Sequence, residues 1–240
     1  MQACGEPCCD AGKRRPPRTI GGKGMIPWRF KHFVSMRMPL VYHYLVNLGL
    51  RGNSQEHWDQ MLAESWNDPS RAWPTKNEMI LARTDSSMNI LDVACGTGGI
   101  LRALHVHGYR HLFALEISRY AVDRLNSEGI LGRQGTLPDI DFPDCQFDVV
   151  IASQVLEHLV RRRKFVKEIR RVLKPGGRAF IFVPDNCLGP IDEPEHVMVY
   201  SRDKLAAFLA RYFIVETVSS MKDDNHEAPV LFAEVRKRAD

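Results

Sequence analysis

The stretch ILDVACGTGG, Ile90 to Gly99, sets an acid, Asp92, inside a short apolar run and follows it with Gly96, Gly98 and Gly99. A second acid, Glu116, closes the next apolar run, LFALE, 24 residues after Asp92. A glycine-rich turn after a strand lets the backbone pass close to a ligand. The helix that follows presents free N–H groups to the ligand's anionic end. An acid at the end of the second strand can accept two sugar hydroxyls. Together these residues predict a site for a nucleoside-bearing cofactor.

Three cofactors use such loops. A triphosphate loop needs a Lys directly after its last Gly, and none follows here. The dinucleotide fingerprint needs a third Gly, which allows close helix–strand packing, where Leu101 stands. Asp92 is out of place beside a phosphate. It suits S-adenosylmethionine, whose sulfonium and α-amino group are cationic and can be attracted directly or through water. Glu116 is common to this reading and the dinucleotide one, so it speaks for the fold more than for the cofactor.

These residues must be held by strands and helices, and from Asn89 the pattern supplies them. Strands are predicted at 89–93, 111–115, 147–153, 179–183, 213–219 and 230–235, with a short one at 130–134. Helices are predicted at 99–107, 119–127, 155–173 with a break near its start, and 201–212. Strand–helix alternation at this spacing predicts an α/β fold with a parallel sheet covered on both faces. KPGG, Lys174 to Gly177, is predicted to stop the long helix and turn the chain into the next strand. RRRK at Arg161–Lys164 reads as the solvated face of that helix, because Phe165, Ile169, Val172 and Leu173 recur at helical spacing.

Residues 1–24 read as a disordered basic tail, 25–88 as an N-terminal helical extension or cap, and 89–240 as the catalytic domain. Residues 1–50 hold eight Lys/Arg against two acids, and the rest 25 against 27, so any attraction to nucleic acid or membrane would reside in the extension. Membrane contact is expected only through residues 13–50, and nucleic acid is not an expected partner. PLVYHYLVNLGL, Pro39 to Leu50, is too short to span a bilayer. With no secretory signal and scattered cysteines, the chain reads as cytoplasmic. CGEPCC, Cys4 to Cys9, lacks the second ligand pair of a zinc site, and no metal is assigned.

Five segments, ILDVACGTGG, LFALEIS, FPDCQFDVVIASQVLEHL, EIRRVLKPGGRAFIFVP and EPEHVMVYSRDKLAAFLA, occur in order from about residue 88 to 236. On these the chain resembles the class I S-adenosylmethionine-dependent methyltransferases, in the branch called type 11. The resemblance implies a Rossmann-like, doubly wound, seven-stranded, mostly parallel sheet with its last strand antiparallel. It implies S-adenosyl-L-methionine over the carboxyl ends of the first strands, held by Asp92, Ala94, Cys95, Gly96, Gly98, Glu116, Ile117, Thr136, Leu137 and Ser153. Ala94 stands where the family often has Gly. Thr136 stands where it commonly has an adenine-binding Asp, with the Leu137 N–H beside it and Asp139 as a nearby substitute. The segment with His196 and Tyr200 overhangs the acceptor side in the family, which makes His196 the candidate base. His158 reads as a partly buried residue holding local backbone, Tyr200 as packing, and Trp58 and Trp66 as either cofactor lids or core. The expected reaction moves a methyl group in line to an oxygen, nitrogen or carbon of a small-molecule acceptor. The alternatives are a non-catalytic S-adenosylmethionine-binding regulatory module and a dinucleotide oxidoreductase.

Overall fold

The computed structural model describes residues 37–38, 54–186, 196–222, 224 and 229–239. The expectations for the 1–24 tail, for nearly all of 25–53, and for Cys4, Cys8, Cys9 and Cys187 lie outside the described residues. The remainder runs α1 (Gln55–Ser65), a 3-10 turn (Pro69–Arg71), α2 (Pro74–Leu81), β1 (Ile90–Val93), α3 (Gly99–Val106), β2 (Leu112–Glu116), α4 (Arg119–Ser127) and β3 (Leu131–Gln134). It continues β4 (Phe147–Ser153), a 3-10 turn (Leu156–His158), α5 (Arg162–Val172), β5 (Leu173–Pro184), α6 (Arg202–Leu209), β6 (Ile214–Met221) and β7 (Val230–Arg236).

The strands form one seven-stranded sheet in the order β3-β2-β1-β4-β5-β7-β6. β1 to β5 pair in parallel, and β7 lies antiparallel between β5 and β6. This is the doubly wound α/β sheet expected from the sequence, with the last strand antiparallel.

Period-two alternation divides the core. Leu91 and Val93 of β1, Val150 and Ala152 of β4, and Ile181 and Val183 of β5 face one layer, with Phe165, Val166 and Ile169 of α5 and Leu205 and Leu209 of α6. Ile90, Val149, Ile151, Phe180 and Phe182 face the other, with residues of α1, α2, α3 and α4. Phe147 joins the first layer although Val149 faces the second, consistent with the register shift in β4 between these residues. Among the described residues, no helix is long and apolar enough to cross a membrane.

Two boundaries differ most from expectation, and the helix predicted at 201–212 is the shorter Arg202–Leu209. The predicted helix 155–173 is a 3-10 turn, a gap and α5, so the break lies at residues 159–161. β5 begins at Leu173, earlier than the predicted 179, because Leu173 already pairs with Phe147. KPGG is the kinked start of that strand. Gly177 is required there, since a Cβ would stand 2.9 Å from the Lys174 carbonyl oxygen. As expected, Phe165, Ile169, Val172 and Leu173 are buried and Arg161 and Arg163 are exposed, while Arg162 and Lys164 are half-buried.

Residues 54–83 are tied to the rest of the fold at three places. Asp59 Oδ1 accepts hydrogen bonds from Ser118 Oγ at 2.5 Å and Tyr120 N at 3.0 Å, at the N-terminus of α4. Arg83, just past α2, donates to Glu234 of β7 at 3.2 Å. Thr75 N donates to Asp224 at 3.0 Å.

Candidate active site

The glycine loop leaves β1 at the carboxyl edge of the sheet. Ala94 turns left-handed, with φ 52, and its N–H donates to the Leu115 carbonyl at 2.7 Å. Two of the three glycines answer to the protein's own packing. Gly98 has φ 71, and a Cβ there would lie 2.4 Å from Leu125 of α4; a Cβ on Gly99 would lie 2.6 Å from the Arg71 carbonyl. Gly96, with φ 57, meets only Leu62 at 3.8 Å and is the glycine with open space for a ligand.

Glu116 ties this loop to the end of β2. Its Oε2 accepts from Gly96 N at 2.9 Å, and its Oε1 from Ile117 N at 2.8 Å and Ser118 N at 3.2 Å. A carboxylate offers about four lone-pair sites, two on each oxygen. The two on Oε1 are taken, and one on Oε2 remains for a ligand. Burial raises the Glu116 carboxyl, while these three N–H groups oppose the rise. Gly135 N donates to the Glu116 carbonyl at 2.9 Å, which sets exposed Thr136 and half-buried Leu137 at the neighbouring strand end. Asp139 is exposed and ion-paired with Lys164.

Asp92 is 3% exposed, and its Oδ1 has no hydrogen-bond partner among the described residues. Burial pushes its carboxyl well above the carboxylate range, Glu116 adds to the rise, and Lys76 opposes it. Lys76 is wholly buried on α2, with Nζ 3.9 Å from the centroid of the Trp73 ring. Half-buried Cys95 lies in the same field; burial and the two acids push its thiol up and keep it protonated. A buried, uncompensated acid beside an open glycine fits the cationic end of S-adenosylmethionine.

The next strand end builds the opposite side. β4 closes at half-buried Ser153, Gln154 turns left-handed with φ 57, and the 3-10 turn follows. Glu157 in that turn is wholly buried, and neither carboxylate oxygen has a hydrogen-bond partner among the described residues. Burial pushes its carboxyl up to about 8, against its own backbone N–H and Lys76. The Glu157 carbonyl accepts Val197 N at 2.7 Å and Met198 N at 3.2 Å, and so brings His196 to the turn. The His196 and His158 rings meet edge to face at 4.5 Å. Buried Tyr200 lies in the same segment, its hydroxyl without a hydrogen-bond partner among the described residues.

The structure thus groups Asp92, Ala94, Cys95, Gly96, Gly98, Glu116 and Ile117 at the carboxyl ends of β1 and β2, with Thr136 and Leu137 after β3 and Ser153 at the end of the neighbouring β4, while the segment with His196 is tied to the turn that follows β4. Trp66 is core: 5% exposed, it packs edge-on against Tyr120 at 5.5 Å. Half-buried Trp58 packs on the same cluster. Sequence reasoning missed Lys76, Asp59 and the grouping of buried Glu157 and His196 with half-buried His158. An acid between Leu156 and Leu159 was the one local signal of the last.

Residues 91–181 match a family model described as "Methyltransferase domain". The chain is similar to sterol 24-C-methyltransferase ERG6B of Gibberella zeae, 38% identical over 98 residues, covering 38% of this chain and 26% of that protein. It is also similar to the probable tocopherol O-methyltransferase of Oryza sativa subsp. japonica, 32% identical over 101 residues, covering 39% of this chain and 28% of that one. The matches therefore span about a quarter of these relatives' length. Among solved structures, the Haloferax volcanii methyltransferase in complex with the Trm112 activator superposes with a TM-score of 0.66 at 20% identity, covering 78% of this chain and 98% of that chain.

Proposed function

We propose, on the premise that this chain carries a class I S-adenosylmethionine-dependent methyltransferase domain of the type 11 branch, that the protein moves a methyl group to a small-molecule acceptor at the edge between Asp92 and His196. The observation that carries this reading is Asp92, a buried acid with an orphaned oxygen at the glycine loop. When bound, the cofactor supplies an electrophilic methyl on a sulfonium that leaves as a neutral thioether.

The chain's own residues do the rest. Asp92 lies where it can offset the ligand's positive charge, a stronger interaction in a dry site than in water. Gly96 clears the backbone, and Glu116 both holds the loop and offers its remaining lone pair to a ribose hydroxyl. Thr136, with the Leu137 N–H, is the proposed adenine contact. Ser153 and His196 border the acceptor, with His196 orienting it or taking its proton. Holding nucleophile and methyl carbon in line can remove several kcal/mol of the barrier.

The two relatives are named for transfer to a sterol carbon and to a tocopherol oxygen. An acceptor carried on an apolar body is consistent with half-buried Leu137, Leu159 and Met198 beside the core. The regulatory alternative draws no support from the relatives, which are named as methyltransferases.

Calorimetric titration with S-adenosylmethionine and with NAD tests the cofactor. Transfer of labelled methyl groups into a metabolite extract tests the reaction. S-adenosylmethionine should bind and NAD should not. Preferential binding of NAD would end the reading.

A further inference from the structure

We infer that Glu157, His158 and His196 form a site for one divalent transition-metal ion, which binds an acceptor hydroxyl and makes this protein an oxygen-directed methyltransferase. The inference rests on the reading of this edge as the acceptor side. Each of the three residues offers one ligand atom, and the three atoms lie within 4.8 Å of one another. Around zinc, with bonds of roughly 2.0–2.1 Å, tetrahedral ligand atoms stand about 3.4 Å apart. Small side-chain rotations close that difference.

The second observation is independent of the spacing. Both Glu157 oxygens are buried, in a residue with no exposed surface, and have no hydrogen-bond partner among the described residues. Buried carboxylates are ordinarily paired or bound to a metal. The backbone also holds the group together: Val197 N and Met198 N donate to the Glu157 carbonyl, which fixes His196 against the 3-10 turn. Lys76 acts on both Glu157 and Asp92 through its field.

The donor set selects the ion. Two imidazoles and one carboxylate suit zinc, iron, cobalt or manganese, whereas magnesium and calcium prefer all-oxygen sites. Three protein ligands leave coordination positions open, as in catalytic rather than structural sites. A hydroxyl bound there loses its proton more readily. In the step, His196 holds the ion and so orients the acceptor rather than taking its proton; the acceptor O–H proton goes to solvent and the oxygen forms a bond to the methyl carbon. The C–S bond breaks with its electron pair left on sulfur. Nothing is oxidised or reduced.

The test titrates Zn2+ and Co2+ into full-length protein stripped with chelator. One site per chain is expected, and Co2+ should give visible d–d absorption without a thiolate charge-transfer band. Glu157→Gln and His196→Gln should each weaken binding by more than the roughly 10–100-fold that loss of a merely supporting group costs. Glu157→Gln keeps the shape and removes a buried acid, so it should fold by circular dichroism, and its loss of metal cannot be ascribed to unfolding. Azide should shift the Co2+ spectrum by taking an open position. No binding by folded wild type, binding that survives Glu157→Gln, or a thiolate band from Cys4, Cys8 or Cys9 would overturn the site. A spectrum insensitive to azide would overturn the acceptor-binding role. Because the readout is the ion itself, failure of S-adenosylmethionine to bind would strike the functional reading instead.

Discussion

Glu116→Gln separates the two duties of one side chain. The carboxylate receives three backbone N–H groups and has one lone pair to spare. The amide has a single oxygen, and two donors, Ile117 N and Ser118 N, converge where Oε1 now stands. The amide oxygen should settle there, which turns the NH2 toward Gly96 N, donor against donor. One charge-assisted hydrogen bond is lost, and so is the acceptor for a ribose hydroxyl. Hydrogen bonds to charged groups contribute about 1.5–3 kcal/mol. S-adenosylmethionine should therefore bind about 10- to 150-fold more weakly. Folding should suffer less, because the carboxylate's burial, which raises its own titration, disappears with it. A net cost near 1 kcal/mol would lower Tm by about 2–4 °C in a chain of this size. Calorimetry gives the affinity and differential scanning gives the Tm. Affinity within about twofold of wild type, less than 0.5 kcal/mol, with Tm unchanged, would refute both the loop tie and the ribose contact.

Asp92 titrates above the ordinary carboxylate range in the protein alone, and a cationic ligand should lower it, so S-adenosylmethionine binding should release a proton and strengthen as pH rises toward Asp92's own titration. Calorimetric heats should then vary with the buffer's ionisation enthalpy, and Asp92→Asn should abolish that variation; heats independent of buffer would contradict the assignment. Gly99→Ala sets a Cβ 2.6 Å from the Arg71 carbonyl, and such overpacking costs roughly 1–3 kcal/mol. An unchanged urea midpoint would show that the turn at 69–71 yields freely. Asp59→Ala removes the acceptor for Ser118 Oγ and Tyr120 N at the start of α4 and should cost about 0.5–2 kcal/mol, as loss of a helix cap does. Hydrogen exchange should rise in α1 and the first turn of α4, and exchange unchanged in both would count against the anchor.

The meeting of the glycine loop with Glu116, which we assign to the cofactor, was legible because these residues are local in sequence. The loop from Ile90 to Gly99 and the acid closing β2 lie on neighbouring parallel strands, so a linear pattern fixes their meeting. α4 was placed to the residue, since Ser118 caps it and its apolar positions keep helical spacing. The start of β5 was not legible: KPGG carries the composition of a turn, and only pairing with β4 makes it strand. Lys76 was hidden because a lysine on a helix reads as solvated, and its burial is set by Trp73 and Phe182. The joining of Glu157 to His196 depends on a backbone contact between segments far apart in the chain. His158 alone had the bland reading that a lone histidine deserves.

The α1–α2 segment is a working part of the site rather than an appendage. Through Asp59 it fixes the N-terminus of α4, beside the Ser118 N–H that Glu116 holds. Through the Arg71 carbonyl it closes on Gly99, and it carries Lys76, whose field reaches both Asp92 and Glu157. Two acids opposed by one lysine leave this interior short of positive charge. On the readings proposed above, a sulfonium would answer that deficit at Asp92 and a divalent ion would answer it at Glu157.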